Sequence, residues 1–474
     1  MKGLSGYLAI LAVAAVVTFG LTFPVKRLAR RYGAVVLPDA SRIHLRPTPT
    51  LGGAGMFLAF LVAMIVASRL PQFKEVFSGS SEPLGVVLAG AVIFAVGLVD
   101  DLREVSPPAK MAGQVLAGSV LYFFGVTMIL FKLPGGLGVL VPSPSILPLL
   151  TALWVVGMAN AINFIDGLDG LAAGLVAIAA GSFAVYSLEL VNQGSLSTDN
   201  IGPLLAVIAC GVCLGFLPHN FHPARIFMGD AGALFVGLLL AASTSVVGGR
   251  TTGLSGHTYF FFAPLFIPLI ILGVPVLDTA LAIVRRTVRR SGVATRDLGH
   301  LHYRLIQLGY GHRRSVMILW AWTAILSGMV LYPVFSHRGN AVIPYAAVGL
   351  AVLLCIAFRP GFGRRTAVAT PDSSERLAQV VKIGEARHAN PVASATGLAG
   401  RSSVVSGPGP AGSAVGSATS PTSVTGSIVR GATGSRRRAG GRHRIGSLHD
   451  SVLDPTEVRS PAVEDSAAGE DRPG

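Results

Sequence analysis

The stretch Asn160-Ala161-Ile162-Asn163-Phe164-Ile165-Asp166-Gly167-Leu168-Asp169-Gly170-Leu171 closes one long apolar run and opens another. Polar residues recur in it at every third position: Asn160, Asn163, Asp166 and Asp169. On a helix each step of three falls about 60° short of a full turn, so neighbours in the series share a face and its ends do not. All four side chains carry oxygen acceptors, and a glycine follows each aspartate, where a ligand can come close to bare backbone. Where a membrane segment meets water, such a group is a candidate site for a hard cation and a phosphate.

The apolar flanks are typical of this chain. Of its 474 residues 51% are hydrophobic and 13% charged, with a mean hydropathy of +0.63. That excludes an ordinary soluble domain and points to a polytopic membrane protein. Apolar runs fall near 4–23, 51–69, 84–99, 110–130, 146–163, 170–188, 202–217, 231–247, 259–283, 316–335 and 341–358. The expected fold is therefore all-α, a transmembrane helical bundle of about 11 spans. The first run is followed by Lys26, Arg27, Arg30 and Arg31 and reads as a retained anchor, with no cleavable-signal pattern. Pro134, Gly135, Gly136, Pro142 and Pro144 mark 126–145 as a loop or hairpin. Cys210 and Cys213 sit in an apolar run and read as packing residues, not as a redox or zinc pair.

Lys and Arg total 38 against 23 Asp and Glu, a net charge of +15. The loops 24–50, 100–109, 164–169, 218–230 and 284–315 share one side and hold most of the loop Lys and Arg. The positive-inside rule puts that side in the cytoplasm, with the N-terminus outside and the C-terminus inside. In such a protein excess base marks cytoplasmic loops and anionic headgroups, so nucleic acid is not an expected partner. Residues 1–358 form the expected transmembrane catalytic domain. Residues 359–474, rich in Gly and Ser and carrying the basic cluster Arg436 to Arg444, have too few large apolar residues for a core and read as a disordered cytoplasmic tail.

The acids respect the parity of the spans. Asp100 and Asp101 end the third, Asp166 and Asp169 follow the fifth, Asp230 closes the loop after the seventh, and Asp278 lies in the ninth, ahead of His300 and His302. Odd spans leave on the same side, so these groups gather at one face. A transporter would place acids near the midplane on broken helices, whereas acids at one face favour an interfacial enzyme. Asp169 and Asp230 also suit the N-termini of the helices that follow them. Asp100 and Asp101 end a helix, where the dipole disfavours anions, and Lys110 is their candidate partner or a phosphate's. Carboxylates and an amide without cysteine suit Mg²⁺ or Mn²⁺ better than zinc, and with basic residues they are the equipment of phosphoryl transfer. The stretch His44-Leu45-Arg46-Pro47-Thr48-Pro49-Thr50-Leu51-Gly52-Gly53 has two readings. It is a stiff loop with a capping threonine, or it offers Thr48, Thr50 and the bare N–H groups of Gly52 and Gly53 to a substrate.

RPTPTLGG at 46–53, GLVDD at 97–101, NAINFIDGLDGLAAG at 160–174, NFHPARIFMGDAG at 220–232, PVLDT at 275–279 and HLHYRL at 300–305 follow in order. On these the chain resembles the polyprenyl-phosphate N-acetylhexosamine-1-phosphate transferases, glycosyltransferase family 4. The resemblance implies a multi-pass enzyme of the bacterial plasma membrane with its active site facing the cytoplasm. A phosphate oxygen of undecaprenyl or decaprenyl phosphate attacks the β-phosphorus of a UDP-N-acetylhexosamine, and UMP leaves. It implies Asp230 and Asn163 as ligands of Mg²⁺, with Mn²⁺ as substitute, and Asp100 as the residue that deprotonates or orients the lipid phosphate, beside Asp101 and Lys110. Asp166 and Asp169 would lie near the nucleotide or metal, Phe227 would stack on uracil, Asn220 would hydrogen-bond it, and His300, His302 and Arg304 would meet the sugar-side diphosphate. The Arg304-Leu305 continuation resembles the GlcNAc branch, with phospho-N-acetylmuramoyl-pentapeptide transferase as the alternative. Tyr303 departs from that branch's usual histidine, and this departure is the support for an inactive scaffold. Oligomeric state, a homodimer included, stays open.

Overall fold

Prolines mark several helix starts. Pro83, Pro107, Pro148 and Pro203 each stand at the first or second helical position, where a missing N–H costs nothing. The helices are α1 (Leu4–Arg31), α2 (Gly52–Arg69), α3 (Lys74–Ser78), α4 (Glu82–Leu102), α5 (Pro107–Phe123), α6 (Leu147–Ile165), α7 (Leu171–Asn192), α8 (Gly202–Asn220), α9 (Gly229–Gly248) and α10 (His312–Ser336). Two short antiparallel ribbons join them: β1 (Val35–Val36) with β2 (Thr48–Pro49), and β3 (Phe131–Lys132) with β4 (Val139–Leu140). This computed structural model describes residues 4–37, 47–129, 131–132, 139–248, 250, 305–306, 309–336 and 348. The expected span at 259–283, that at 341–358 apart from residue 348, and the tail 359–474 lie outside the described residues, as do Asp278, His300, His302, Tyr303 and Arg304.

Among the described residues, 8 helices are long and apolar enough to cross a membrane. The protein is a polytopic helical membrane protein. The expected span 110–130 is shorter than its apolar composition suggested. α5 has 17 residues, about 26 Å, and stops at Phe123 because the chain turns at Gly125, whose φ is 88°. The β3–β4 ribbon occupies the segment read as loop or hairpin.

α9 is the central post. Its residues from Ala231 to Gly248 are all buried, as expected for a helix apolar on every side. α2, α4, α6 and α8 pack around it, α1 and α7 pack on α8, α5 lies against α4 and α6, and α10 lies against α7. The polar hydroxyls on α9 are satisfied internally: Ser243 donates to the Gly202 carbonyl at 2.7 Å and Ser245 to the Ala241 carbonyl at 2.7 Å. Small residues let the neighbours in closely, as where Gly97 of α4 meets Ala231 of α9. The first turn of α9 is thereby brought against the last turn of α4, which sets up the site.

Candidate active site

α9 begins with N–H groups that lack partners within the helix. The carboxylate of Asp101 supplies them from α4, accepting from the Asp230 N–H at 2.9 Å and the Ala231 N–H at 3.1 Å. A cap from another helix requires very close approach. Gly229 provides it: its φ is 73°, and a Cβ there would run into the Asp101 carboxylate. Asp100 points elsewhere. One oxygen accepts from the Val105 N–H at 2.9 Å, and the other meets the Lys110 ammonium at 3.0 Å.

Lys110, in the first turn of α5, also forms an ion pair with Asp230. The second carboxylate oxygen of Asp230 accepts from the Asn163 amide at 2.8 Å. One ammonium thus bridges Asp100 and Asp230, and Asn163 completes the group from α6. One turn along α5, the fully buried Gln114 faces Asn160 in an amide pair. Asn160 donates to the Gln114 carbonyl at 2.6 Å and receives from its amide at 3.5 Å. This pair holds the α6 face that carries Asn163.

Asp166 follows the end of α6 and is half-buried. Burial, reinforced by Asp230, Asp101 and Asp169, pushes its carboxyl well above the usual range. Asp100, Asp101, Asp166 and Asp230 outnumber the one lysine among the described residues of this cluster. Asp230 and Asn163 meet here, and their oxygens fit a hard divalent cation such as Mg²⁺.

The loop from α8 to α9 is clamped from below. The Pro49 carbonyl accepts from the Phe227 N–H at 2.9 Å, Gly52 N–H donates to the Phe227 carbonyl at 3.0 Å, and Gly53 N–H to the Met228 carbonyl at 2.9 Å. This corrects the expectation that Gly52 and Gly53 offer bare N–H groups: a buried loop must satisfy its carbonyls, and these two donors do so. Thr48 and Thr50 are buried in the same clamp, and Thr50 N–H donates to the Ala34 carbonyl at 3.0 Å. Phe227 remains half-buried above them. Asn220 is 2% exposed and bonded to backbone at both ends, accepting from Gly170 N–H at 3.0 Å and donating to the Ile226 carbonyl at 3.1 Å.

Asp169 faces this loop. One of its oxygens meets His222 Nδ1 at 2.7 Å and the Ala224 N–H at 3.1 Å. His222 stacks on His312, with centroids 4.1 Å apart and planes 21° off parallel. The structure adds His222, His312 and Gln114 to the residues singled out from sequence. Gln114 left a signal, a polar residue in an apolar run one turn after Lys110. His222 and His312 left none, because only the fold brings them together.

Fold and site together define a class: a polytopic membrane protein with an acid-rich, lysine-bridged cluster at one end of its helical bundle. The family model described as glycosyl transferase family 4 matches residues 83–248. The decaprenyl-phosphate N-acetylglucosaminephosphotransferase of Mycobacterium tuberculosis is 40% identical over 350 residues, covering 72% of this chain and 87% of that protein. The probable undecaprenyl-phosphate N-acetylglucosaminyl 1-phosphate transferase of Bacillus subtilis is 35% identical over 296 residues, 62% of this chain and 76% of its own. The phospho-N-acetylmuramoyl-pentapeptide-transferase of Moorella thermoacetica is 35% identical over 342 residues, 68% of this chain and 96% of its own. The chain belongs to the polyprenyl-phosphate N-acetylhexosamine-1-phosphate transferase family, within glycosyl transferase family 4.

Proposed function

We propose that this protein transfers GlcNAc-1-phosphate from UDP-GlcNAc to a polyprenyl phosphate, releasing UMP and leaving a lipid-linked diphosphate sugar that starts a cell-envelope glycan. The support is the Asp100–Lys110–Asp230 bridge in a chain 40% identical to a decaprenyl-phosphate N-acetylglucosaminephosphotransferase. Phosphoryl transfer needs little covalent help from a protein. It needs the reacting groups positioned and their negative charge offset.

Asp100 orients the lipid phosphate and takes its proton, freeing an oxygen to attack the β-phosphorus of the nucleotide sugar. Lys110 beside it offsets the charge the lipid phosphate brings. Asp230 and Asn163 would hold Mg²⁺, which when bound neutralises the diphosphate as UMP leaves. Asp101 touches neither substrate; by capping α9 it sets the position of Asp230. Asp166 lies near the nucleotide or the metal. Phe227 stacks on uracil and Asn220 hydrogen-bonds it, with Gly170 and Ile226 fixing the Asn220 amide. Thr48 and Thr50 support the loop from beneath. His300, His302 and Arg304 complete the sugar-side diphosphate contacts. The cluster faces the cytoplasm, with the N-terminus outside.

The test is UMP release by the purified full-length protein given Mg²⁺ and a polyprenyl phosphate, with UDP-GlcNAc and UDP-MurNAc-pentapeptide in parallel. Turnover with UDP-GlcNAc is expected. Turnover with the pentapeptide alone would move the protein to the muramoyl branch, and none with either would support the scaffold reading.

A further inference from the structure

We infer a second metal site, for a borderline divalent transition ion of the Zn²⁺ kind, formed by Asp169, His222 and His312. The three come from separate places: the loop between α6 and α7, the loop between α8 and α9, and the first residue of α10. One ligand atom from each lies within 4.8 Å of the other two. Asp169 and His222 already meet at 2.7 Å, and the two imidazoles lie side by side at 4.1 Å. Ligands about 2.0–2.1 Å from a shared tetrahedral ion sit about 3.3 Å apart, so closing the triad takes movements of about 1.5 Å. Side-chain rotation covers that distance.

The donor chemistry separates this site from the one at Asp230. Two imidazoles and a carboxylate suit zinc, copper or nickel, whereas carboxylate and amide oxygens suit magnesium. Outer contacts that orient ligands are present. The Ala224 N–H fixes the Asp169 carboxylate at 3.1 Å, and Arg313 Nε donates to the His222 carbonyl at 3.2 Å. Three protein ligands leave a fourth position, and a recess of about 310 Å³ beside two of them is lined by His222, His312, Tyr310, Gly311, Arg313 and Arg314. One carboxylate and two neutral imidazoles leave a bound divalent ion with net positive charge, and the arginines add to it. The fourth position would take water or an anion. A metal here would staple both loops to the start of α10. This inference does not depend on the sugar or lipid specificity proposed above.

The experiment uses the full-length protein in detergent, stripped with chelator, dialysed, and titrated with Zn²⁺ in excess Mg²⁺ by calorimetry, with Co²⁺ absorption as the optical probe. One Zn²⁺ per chain should bind. His222→Gln and His312→Gln should each weaken binding at least about tenfold. His312→Cys, which restores a ligand, should bind and give the intense thiolate-to-Co²⁺ absorption. Asp230→Ala should leave Zn²⁺ affinity unchanged, which keeps the two sites distinct. Absence of stoichiometric Zn²⁺ in the wild type, or unchanged affinity in both glutamine variants, would overturn the inference. So would loss of binding with Asp230→Ala. The two histidines lie on different segments, so a fold defect in one variant leaves the other to decide.

Discussion

α4 carries acids at both ends, and the two ends are built differently. At its start the buried Glu82 forms an ion pair with Arg250, which also donates to the Gly125 carbonyl at 2.7 Å. One acid meets one base, and the pair ties α4 to the exits of α5 and α9. At its other end Asp100 shares the Lys110 ammonium with Asp230, Asp101 caps α9 beside them, and Asp166 lies within electrostatic reach of Asp230, so that among the described residues acids outnumber bases. A balanced pair at a helix end is a sufficient account of structure. An excess of acids among the described residues suits a cation brought by function. Within that cluster roles divide further, since Asp101 serves backbone and Asp100 and Asp230 serve Lys110.

The sharpest way to break this contrast is Asp230→Ala. UMP release should fall by roughly 10³-fold, the loss of several kcal/mol of charge stabilisation. Activity near wild type would remove Asp230 from the metal site and leave the acid excess unexplained. Asp101→Asn should come next. It leaves the side chain in place and weakens the cap of α9, so activity should drop roughly 10–100-fold and stability by about 1 kcal/mol. Titrating Mg²⁺ against rate separates the cases: a positioning role raises the Mg²⁺ concentration needed, and a proton-transfer role lowers the maximal rate alone. Gln114→Leu should reduce activity by about 5–10-fold, because Asn160 loses its partner and the α6 face carrying Asn163 loosens. Wild-type rates there would mean that α6 is held well enough by packing. The smallest effect on turnover belongs to Glu82→Gln. Activity should stay within about twofold, while thermal unfolding in detergent reports a loss of about 1–3 kcal/mol. A large fall in turnover would show that the balanced end of α4 also serves the chemistry.

Hydropathy found the spans because burial in lipid or protein demands apolar runs wherever helices cross. It placed their ends less well. The run at 202–217 continues as helix through Pro218 to Asn220, and the run at 84–99 through Asp100 and Asp101 to Leu102. Polar residues at a membrane surface end an apolar run without ending a helix. In α5 the error went the other way, since Val126, Met128 and Ile129 are apolar but follow the turn at Gly125. Asp100, Asp230, Asn163 and Lys110 stood out because charge and amide are costly in such surroundings. The glycines at 52 and 53 misled, because a free N–H and one matched to a distant carbonyl look alike in sequence.

By itself the sequence determined that this is a helical membrane protein and which of its polar residues had to find partners at a membrane face. These are properties of each segment taken alone, fixed by the cost of moving its groups out of water. Tertiary structure decided the pairings: Asp101 to the start of α9, Lys110 across Asp100 and Asp230, and Asp169 to His222 beside His312. Each joins residues from different helices or loops, and the choice depends on which helix faces meet and how closely. That angular information arises only when the helices pack.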